Sequence, residues 1–274
     1  MIIDFHTHAF PDRICERTIE ILQENIVRQG NPPCYAVGTG NVSGLQASMA
    51  ADGIDYSLVL PIATAPRQTE NINSFAIQIN GRNGIFSFGS LHPAQDNCEE
   101  ILEGIKAAGL RGIKLHPDYQ DFFIDSPESV RILKKCEELG LYTILHAGND
   151  HGCPPPVHCT PERLARVLDH VSGRYIIAAH MGGWTMWDDA EKYIIGTPIM
   201  IDVCFSLHIM SPTQAVRMIR NHGADKVLFG SDWPWYSQKR TAELLKKLPL
   251  TEEEFTKILS GNAAKILGIT EMEN

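Results

Sequence analysis

The chain has 274 residues, a formal net charge of −9 and 43% hydrophobic residues, which provide a core of ordinary size. This length excludes small disulfide-stapled scaffolds and fits one α/β barrel, which typically needs about 250 residues. The acidic balance excludes nucleic acid or an anionic membrane as a general partner, because no basic stripe can neutralise phosphates. We therefore predict a single soluble domain over residues 1–274, with a small molecule as its binding partner.

Seven cysteines occur at irregular spacings, and the chain opens directly on the apolar pattern of a buried strand. We find neither a secretory signal nor an apolar run long enough to cross a membrane. An odd number of unpatterned cysteines is typical of free thiols in a reducing compartment. The sequence therefore predicts a cytoplasmic protein.

Eight short apolar runs recur along the chain, and each is followed by a loop and a helical pattern. Near-continuous apolar runs are typical of strands that are covered on both faces, as in a parallel sheet. Eight such units predict a closed (β/α)₈ or TIM barrel, and an open doubly wound sheet would need a G-x-G-x-x-G that is missing after the first strand. The predicted strands are residues 2–6, 57–62, 85–91, 112–116, 142–146, 175–180, 199–203 and 227–232.

Helix boundaries are marked by capping residues. Ser126-Pro127, Thr160-Pro161 and Ser211-Pro212 each place a hydroxyl before a proline at the first helical position. Thr251 and Glu254 form a possible capping box. Glycines are predicted to end the helices that precede the next strands. These glycines are Gly109, Gly140, Gly173 and Gly223.

Two segments do not fit the regular alternation of strands and helices. Residues 11–30 predict an extra helix after the first strand, and residues 148–160 form a proline-rich loop that we expect over the barrel mouth. Aromatic residues that follow strands 6 and 8 either wall a pocket or pack over the barrel rim. These residues are Trp184, Trp187, Trp233, Trp235 and Tyr236.

Histidines and a carboxylate stand at the ends of four predicted strands. His6 and His8 are two residues apart, so their side chains share one side of the first strand. His146, His180 and Asp232 end the fifth, sixth and eighth strands, and the carboxyl ends of all strands meet at one mouth of a barrel. A metal ion would satisfy these buried groups. Such ligands suit zinc first, with manganese, iron and cobalt as alternatives.

Several motifs in order resemble the amidohydrolase superfamily, and most closely its amidohydrolase-related branch, which includes aminocarboxymuconate-semialdehyde decarboxylase. They are H-T-H at residues 6–8, G-I-K-L-H-P at 112–117, A-H-M-G-G at 179–183, F-G-S-D-W-P at 229–234 and G-N-A-A-K-I-L-G at 261–268. The resemblance covers essentially the whole chain.

The resemblance implies a single divalent metal ion held by His6, His8, His146 and Asp232. It implies that His180 acts as general acid or base, or orients a metal-bound water, and that the protein is a homodimer. The reference pKa of histidine suits proton transfer near neutral pH.

Three further residues are candidates for substrate or second-metal binding. In other branches of the superfamily a lysine at the position of Lys114 is carboxylated and bridges two metals. Lys114 could also anchor a substrate carboxylate, or simply pair with Asp118 or Asp232, and we favour a lysine near the site without a second metal. His116 shares the face of Lys114. Arg67 follows the second strand, where it could hold a substrate carboxylate or remain solvated.

The first functional hypothesis is a metal-dependent hydrolase of a small-molecule C–N or C–O bond. The ion and His180 would activate a water, and Asp232 would carry a proton to the leaving group. The alternative is a metal-dependent non-oxidative decarboxylase of a small unsaturated or aromatic carboxylic acid. A binding protein without activity is the third hypothesis, because fold alone does not fix function.

Overall fold

The computed structural model describes residues 1–269, in which strands and helices alternate. Each strand overlaps one of the predicted runs, and all except the first are shorter than the run, mostly because the carboxyl end of the run bends into a loop. The strands are β1 (Ile3–Thr7), β2 (Tyr56–Val59), β3 (Ile85–Ser87), β4 (Gly112–Leu115), β5 (Tyr142–Leu145), β6 (Ile176–Ala178), β7 (Met200–Asp202) and β8 (Val227–Leu228).

The α-helices lie between and after these strands. No helix within residues 1–269 has the length and apolar character needed to cross a bilayer. The helices are α1 (Asp12–Arg28), α2 (Val42–Asp52), α3 (Thr69–Ile79), α4 (Cys98–Ala107), α5 (Pro127–Leu139), α6 (Pro161–Arg166), α7 (Trp187–Tyr193), α8 (Pro212–His222), α9 (Gln238–Lys247), α10 (Glu252–Thr256) and α11 (Asn262–Leu267). Short 3₁₀ turns cover Pro66–Gln68, Val167–Asp169 and Ala224–Lys226, and a π-helical turn covers Lys257–Gly261.

The parallel strands close into a barrel. One group runs in the order β1-β2-β3 and the other in the order β4 to β8. Gly89 links them on one side by donating to the carbonyl of Gly112 at 2.9 Å. On the other side Phe5 donates to the carbonyl of Phe229 at 2.8 Å. The prediction of a (β/α)₈ barrel is confirmed, and an open doubly wound sheet is excluded because neither edge is free.

Most of the predicted helix boundaries are found. The Thr160 hydroxyl accepts from the Arg163 amide at 3.2 Å, and Thr251 and Glu254 form a capping box. Gly140 ends α5 with φ 64°, a left-handed conformation that side chains with a Cβ rarely adopt. The prediction for Gly173 is wrong, because the helical segment before β6 already ends with the 3₁₀ turn.

The two ends of the barrel differ in chemistry. Apolar side chains that point into the barrel, including Phe5, Phe88 and Ile144, form one buried cluster with Ala263 and Ile266 of α11. A second apolar layer lies between the strands and the surrounding helices. Because α11 closes one end with apolar groups, the polar residues collect at the other end, where the strands finish.

The helix α1 lies at that polar end. Its first turn is tied to the segment before α2, since the Asn41 amide donates to Asp12 at 2.9 Å. Beyond its last turn, Asn31 donates to the carbonyl of His151 at 2.9 Å. His151 belongs to the loop of residues 148–160, so this helix and this loop meet over the mouth, as predicted for the loop.

Candidate metal centre

Three side chains converge where β1 and β8 end. The Nε2 atoms of His6 and His8 lie 3.4 Å and 3.2 Å from the same carboxylate oxygen of Asp232. All three ligand atoms lie within 4.8 Å of one another, as a shared metal ion requires. His6 is fully buried and His8 is partly buried.

Hydrogen bonds on the far side of each ring fix which nitrogen faces the site. His8 Nδ1 lies 2.9 Å from the carbonyl oxygen of Leu60, which can only accept, so Nδ1 carries the hydrogen. His6 Nδ1 lies 2.7 Å from the buried Asp202 carboxylate and donates to it in the same way. In the neutral rings both Nε2 lone pairs therefore face the carboxylate of Asp232.

A second pair of rings, His146 and His180, is also fixed by hydrogen bonds to backbone carbonyls. His146 Nε2 donates to the carbonyl of Asn149 at 2.9 Å, and His180 Nδ1 donates to the carbonyl of Cys204 at 3.2 Å. Their remaining nitrogens, His146 Nδ1 and His180 Nε2, face each other at 3.0 Å. Burial and the neighbouring His146 hold the pKa of His180 well below its usual value, so its ring is neutral near pH 7.

These contacts fit a bound cation. Acceptor atoms that face acceptor atoms at about 3 Å repel each other unless a proton or a metal ion lies between them. Imidazole nitrogens with a carboxylate oxygen are a ligand set typical of zinc, manganese, iron or cobalt. Of the four predicted ligands, the structure brings His6, His8 and Asp232 into one group, whereas His146 contacts His180.

The backbone near the site is held in an unusual conformation. Asp232 and His180 have φ angles of 70° and 59°, a region that residues with a Cβ avoid and that is common at functional sites. Gly230 allows this arrangement, because a Cβ there would lie 2.7 Å from the Cβ of His6. The F-G-S-D-W-P motif is therefore explained by the close approach of its glycine to β1.

Two buried residues of the site were missed by the sequence analysis. Asp202, at the end of β7, accepts from His6 Nδ1 and from the backbone amide of His180 at 2.8 Å. Cys204 Sγ lies 3.1 Å from Nδ1 of both His6 and His180. Asp202 lies in a predicted strand, so the reasoning applied to the other strand ends would have found it, whereas no pattern pointed to Cys204.

Lys114 lies in β4 beside His6 and is almost fully buried. Its Nζ is 3.2 Å from Nε2 of His6 and forms no ion pair with Asp118 or Asp232, so the simple ion-pair alternative is not observed. Burial lowers the pKa of Lys114 below its usual value. This position leaves the amine available to a substrate, a metal or carbon dioxide.

His116 takes part in a separate group. Its Nε2 lies 3.1 Å from Asp150, and its ring stacks on that of His146 with centroids 4.2 Å apart. These three residues form a second set of potential metal ligands. Burial and the neighbouring His146 lower the pKa of His116 to about 4. Asp150 follows β5 in the long loop and was not predicted.

A cavity of about 620 Å³ opens above these groups. Lys114, His116 and all of the predicted ligands line its floor. Arg67 does not line it and is exposed, because it lies in a 3₁₀ turn that points to solvent. Arg13 at the start of α1 is a cavity arginine that the sequence analysis did not consider.

Aromatic side chains form part of the cavity wall. Trp184 and Trp235 line the cavity, whereas Trp233 is buried in the barrel rim. Trp187 donates to the carbonyl of His180 at 3.1 Å, and Tyr236 stacks on His208 with centroids 4.4 Å apart. Both expected roles, walling the pocket and packing over the barrel rim, therefore occur among the five aromatic residues.

Comparisons with known proteins agree on the kind of fold. A family described as amidohydrolase matches residues 3–269. No curated protein matches the chain. Many solved structures are similar to it, at identities that show the fold alone.

Two of these structures are named as decarboxylases, and a third is named IDCase. The 5-carboxyvanillate decarboxylase LigW from Sphingomonas paucimobilis is 18% identical, with a TM-score of 0.70 over 98% of this chain and 99% of that one. IDCase from Metarhizium anisopliae is 16% identical, with a TM-score of 0.75 over 98% and 97%. A dihydroxybenzoic acid decarboxylase from Polaromonas sp. JS666, with bound manganese, is 15% identical, with a TM-score of 0.67 over 99% and 98%.

Proposed function

Because this chain is an enzyme of the amidohydrolase family, we propose that it is a metal-dependent, non-oxidative decarboxylase of an aromatic or unsaturated carboxylic acid. This is the alternative from the sequence, and it has better support than hydrolysis. The named relatives of similar fold release carbon dioxide from aromatic acids, according to their names.

The observation that carries the proposal is the division of the cavity into two kinds of surface. Imidazoles and the Lys114 amine lie on the floor, and apolar side chains such as Leu60, Phe75 and Trp184 form the walls. A carboxylate fits the floor, and a flat apolar body fits the walls. Walls of this kind keep water away, which favours conversion of a carboxylate into neutral carbon dioxide.

The proposed ligands of the metal are His6, His8, His146 and Asp232. When bound, a divalent ion attracts the substrate carboxylate and stabilises negative charge that develops next to it. Zinc was expected from the ligand types, and the bound manganese of the Polaromonas relative makes manganese an equal candidate. We propose one ion per chain.

His180 is the proposed proton donor. Its Nδ1 is committed to the carbonyl of Cys204, so Nε2 is the atom that can carry a proton toward the cavity. In the reaction the bond between the carboxyl carbon and the substrate carbon breaks, and its electron pair stays on the substrate carbon. A proton that His180 Nε2 takes up from solvent and passes to this carbon replaces the lost group, and carbon dioxide leaves. Asp232 is the second proposed proton carrier.

Lys114 is proposed to hold the substrate carboxylate. Its amine is buried beside His6, and a carboxylate at this place would form a charge-assisted hydrogen bond with it. The competing role, a carboxylated Lys114 that bridges two metals, would require a second ion. Elemental analysis, which counts the metal ions bound per chain, separates these two roles of Lys114.

Hydrolysis is the second candidate function, and the position of His180 favours it, because a neutral imidazole at the floor could also accept a proton from water. The two reactions differ in their products. Decarboxylation yields carbon dioxide and leaves no new hydroxyl or amine, whereas hydrolysis consumes one water and releases two fragments.

The test uses the full chain loaded separately with manganese and with zinc. A panel of hydroxybenzoic and unsaturated acids is incubated with it in D₂O. We expect carbon dioxide together with one deuterium at the carbon that carried the carboxylate. Hydrolysis of matched esters, amides or lactones without carbon dioxide release from any acid would contradict the proposal and favour the second candidate.

A further inference from the structure

The cavity continues beyond the floor into an apolar compartment beneath α1. Ile14, Thr18, Leu22 and Ile26 line the cavity, and they recur every four residues along one face of α1. This face therefore bounds the cavity, because residues four apart lie on one side of a helix.

A further part of the lining comes from the segment after β2 and from α3. Leu60, Pro61 and Ile62 follow β2, and Ile72 and Phe75 belong to α3. Within the described residues this stretch of wall offers few charged groups, and Arg13 lies at its margin. A ligand that enters here meets mostly carbon atoms until it reaches the histidines.

The size of the cavity exceeds what the floor chemistry needs. A carboxylate and one ring would occupy the region of Lys114 and the histidines, whereas a volume of about 620 Å³ lies within the range that holds drug-sized ligands, roughly 300–1,000 Å³. An apolar compartment of this kind is costly to leave filled with water. Its continuity with the floor indicates an occupant attached to the reacting carboxylate.

We propose that the compartment between α1 and α3 binds an apolar tail of the substrate, so that the substrate is a carboxylic acid with an alkyl or second-ring extension. This inference rests on the proposed function for the identity of the head group. It assigns specificity to Leu22, Ile26 and Phe75, none of which is a proposed metal ligand.

Contacts on its other side and at both ends hold α1 in place as a wall of the compartment. Cys15 and Ile19 are buried on the neighbouring face of the helix, and the Asp12–Asn41 and Asn31–His151 hydrogen bonds fix its two ends. Burial of each additional methylene of a tail contributes about 0.8 kcal/mol, which corresponds to roughly fourfold in affinity.

The test measures binding and not turnover. The probes are 4-alkylbenzoates of increasing chain length, titrated by calorimetry into the metal-loaded protein. We expect the dissociation constant to fall by about threefold to fourfold per methylene over several steps and then to level off. Leu22→Trp should remove this gain and leave benzoate binding unchanged, since tryptophan would fill the compartment.

Val27→Trp is the matched control, because Val27 is on α1, is 54% exposed and does not line the cavity. It should keep the wild-type dependence on chain length. Equal affinity for all chain lengths, or no binding of any probe, would overturn the inference. An equal loss for all probes in both variants, with dissociation of a dimer in sedimentation, would assign the face to an interface and also overturn it.

The two proposals fail separately. A chain-length dependence without carbon dioxide release from any acid would remove the decarboxylase and keep the apolar subsite. Carbon dioxide release from small aromatic acids with equal affinity along the probe series would keep the decarboxylase and remove the subsite.

Discussion

His8 Nε2 lies 3.2 Å from the carboxylate of Asp232, although the other nitrogen of His8 already donates to the carbonyl of Leu60. When the His8 ring is neutral and no metal is bound, this contact joins two acceptors. We expect Asp232→Asn to stabilise the metal-free protein, because an amide can donate to His8 Nε2. One such hydrogen bond contributes about 1 kcal/mol, or about 2–4 °C in melting temperature for a chain of this size.

The same variant should bind metal poorly, since it replaces an anionic ligand with a neutral one. Thermal unfolding in chelator and elemental analysis after metal loading measure the two effects. Asp189→Asn, on the exposed side of α7, should change neither. A metal-free Asp232→Asn protein that melts below the wild type would contradict the assignment of the His8 ring.

Asp202 is expected to control metal affinity without touching the metal. Its carboxylate accepts from His6 Nδ1 and from the His180 amide, so an asparagine would have to turn its NH₂ toward one of these donors. Loss of such a partner typically lowers metal affinity by about 10- to 100-fold. Competition with a chelating dye measures the dissociation constant for the Asp202→Asn protein. An unchanged constant would remove this role from Asp202.

His180→Asn is expected to keep the metal and to lower turnover by about 10²- to 10⁴-fold, the usual effect of losing a general acid or base. His170→Asn serves as the control, because His170 is exposed and does not line the cavity. Rates on the best acid of the panel are compared at equal metal content. Loss of the metal in His180→Asn would show that His180 is a ligand and not the proton donor.

Metal content tests the number of ions. We expect about one equivalent per chain in the wild type and in Lys114→Met, and loss of the ion in His6→Ala and Asp232→Ala. Lys114→Met removes the amine and preserves the length and apolar stem of the side chain. Two equivalents in the wild type, with a mass gain of one carbon dioxide that Lys114→Met abolishes, would establish the bridging role instead.

His222 lies outside the metal centre and is expected to affect acid stability. Burial and the nearby Lys226 lower its pKa to about 4 in the folded protein, from 6.5 in model compounds. Between these values the unfolded chain binds one more proton, so stability falls as the pH falls from 6.5 toward 4. The full effect is roughly 3 kcal/mol at the low end of this window.

Urea unfolding gives the free energy of unfolding at each pH in this window. Plotted against pH, this free energy should have a smaller slope for His222→Asn than for the wild type. The difference in slope is the measurement, because the replacement also changes packing at every pH. His6 and His116 titrate in the same direction in both proteins and cancel from the comparison. His170→Asn should show the wild-type slope. Equal slopes for His222→Asn and the wild type would contradict the prediction.

The sequence predicted the barrel well, because its strands are buried on both faces and read as apolar runs with helix caps between them. It also predicted that His6, His8 and Asp232 meet, since a closed barrel fixes where strand ends lie. It could not predict that the imidazole of His146 turns toward His180 and His116. That choice depends on the carbonyl of Asn149 in a loop, and loop backbone positions have no periodic pattern.

Arg67 and Arg13 show the same limit. The expectation for Arg67 came from its place after a strand, but the 3₁₀ turn that contains it directs its side chain to solvent. Arg13 reaches the cavity from α1, a helix whose existence was predicted but whose position was not. The homodimer, the cytoplasmic location and the substrate roles of Arg67, Lys114 and His116 stay predictions.

The roof of the cavity and its floor come from different parts of the chain. The face of α1 from Ile14 to Ile26 lies within one short insertion after the first strand, whereas the proposed ligands are spread from residue 6 to residue 232. Exchange of this single segment could therefore alter which molecules are accepted and leave the reactive groups in place. Natural or laboratory evolution could therefore change the substrate range of this enzyme by replacing the α1 segment alone.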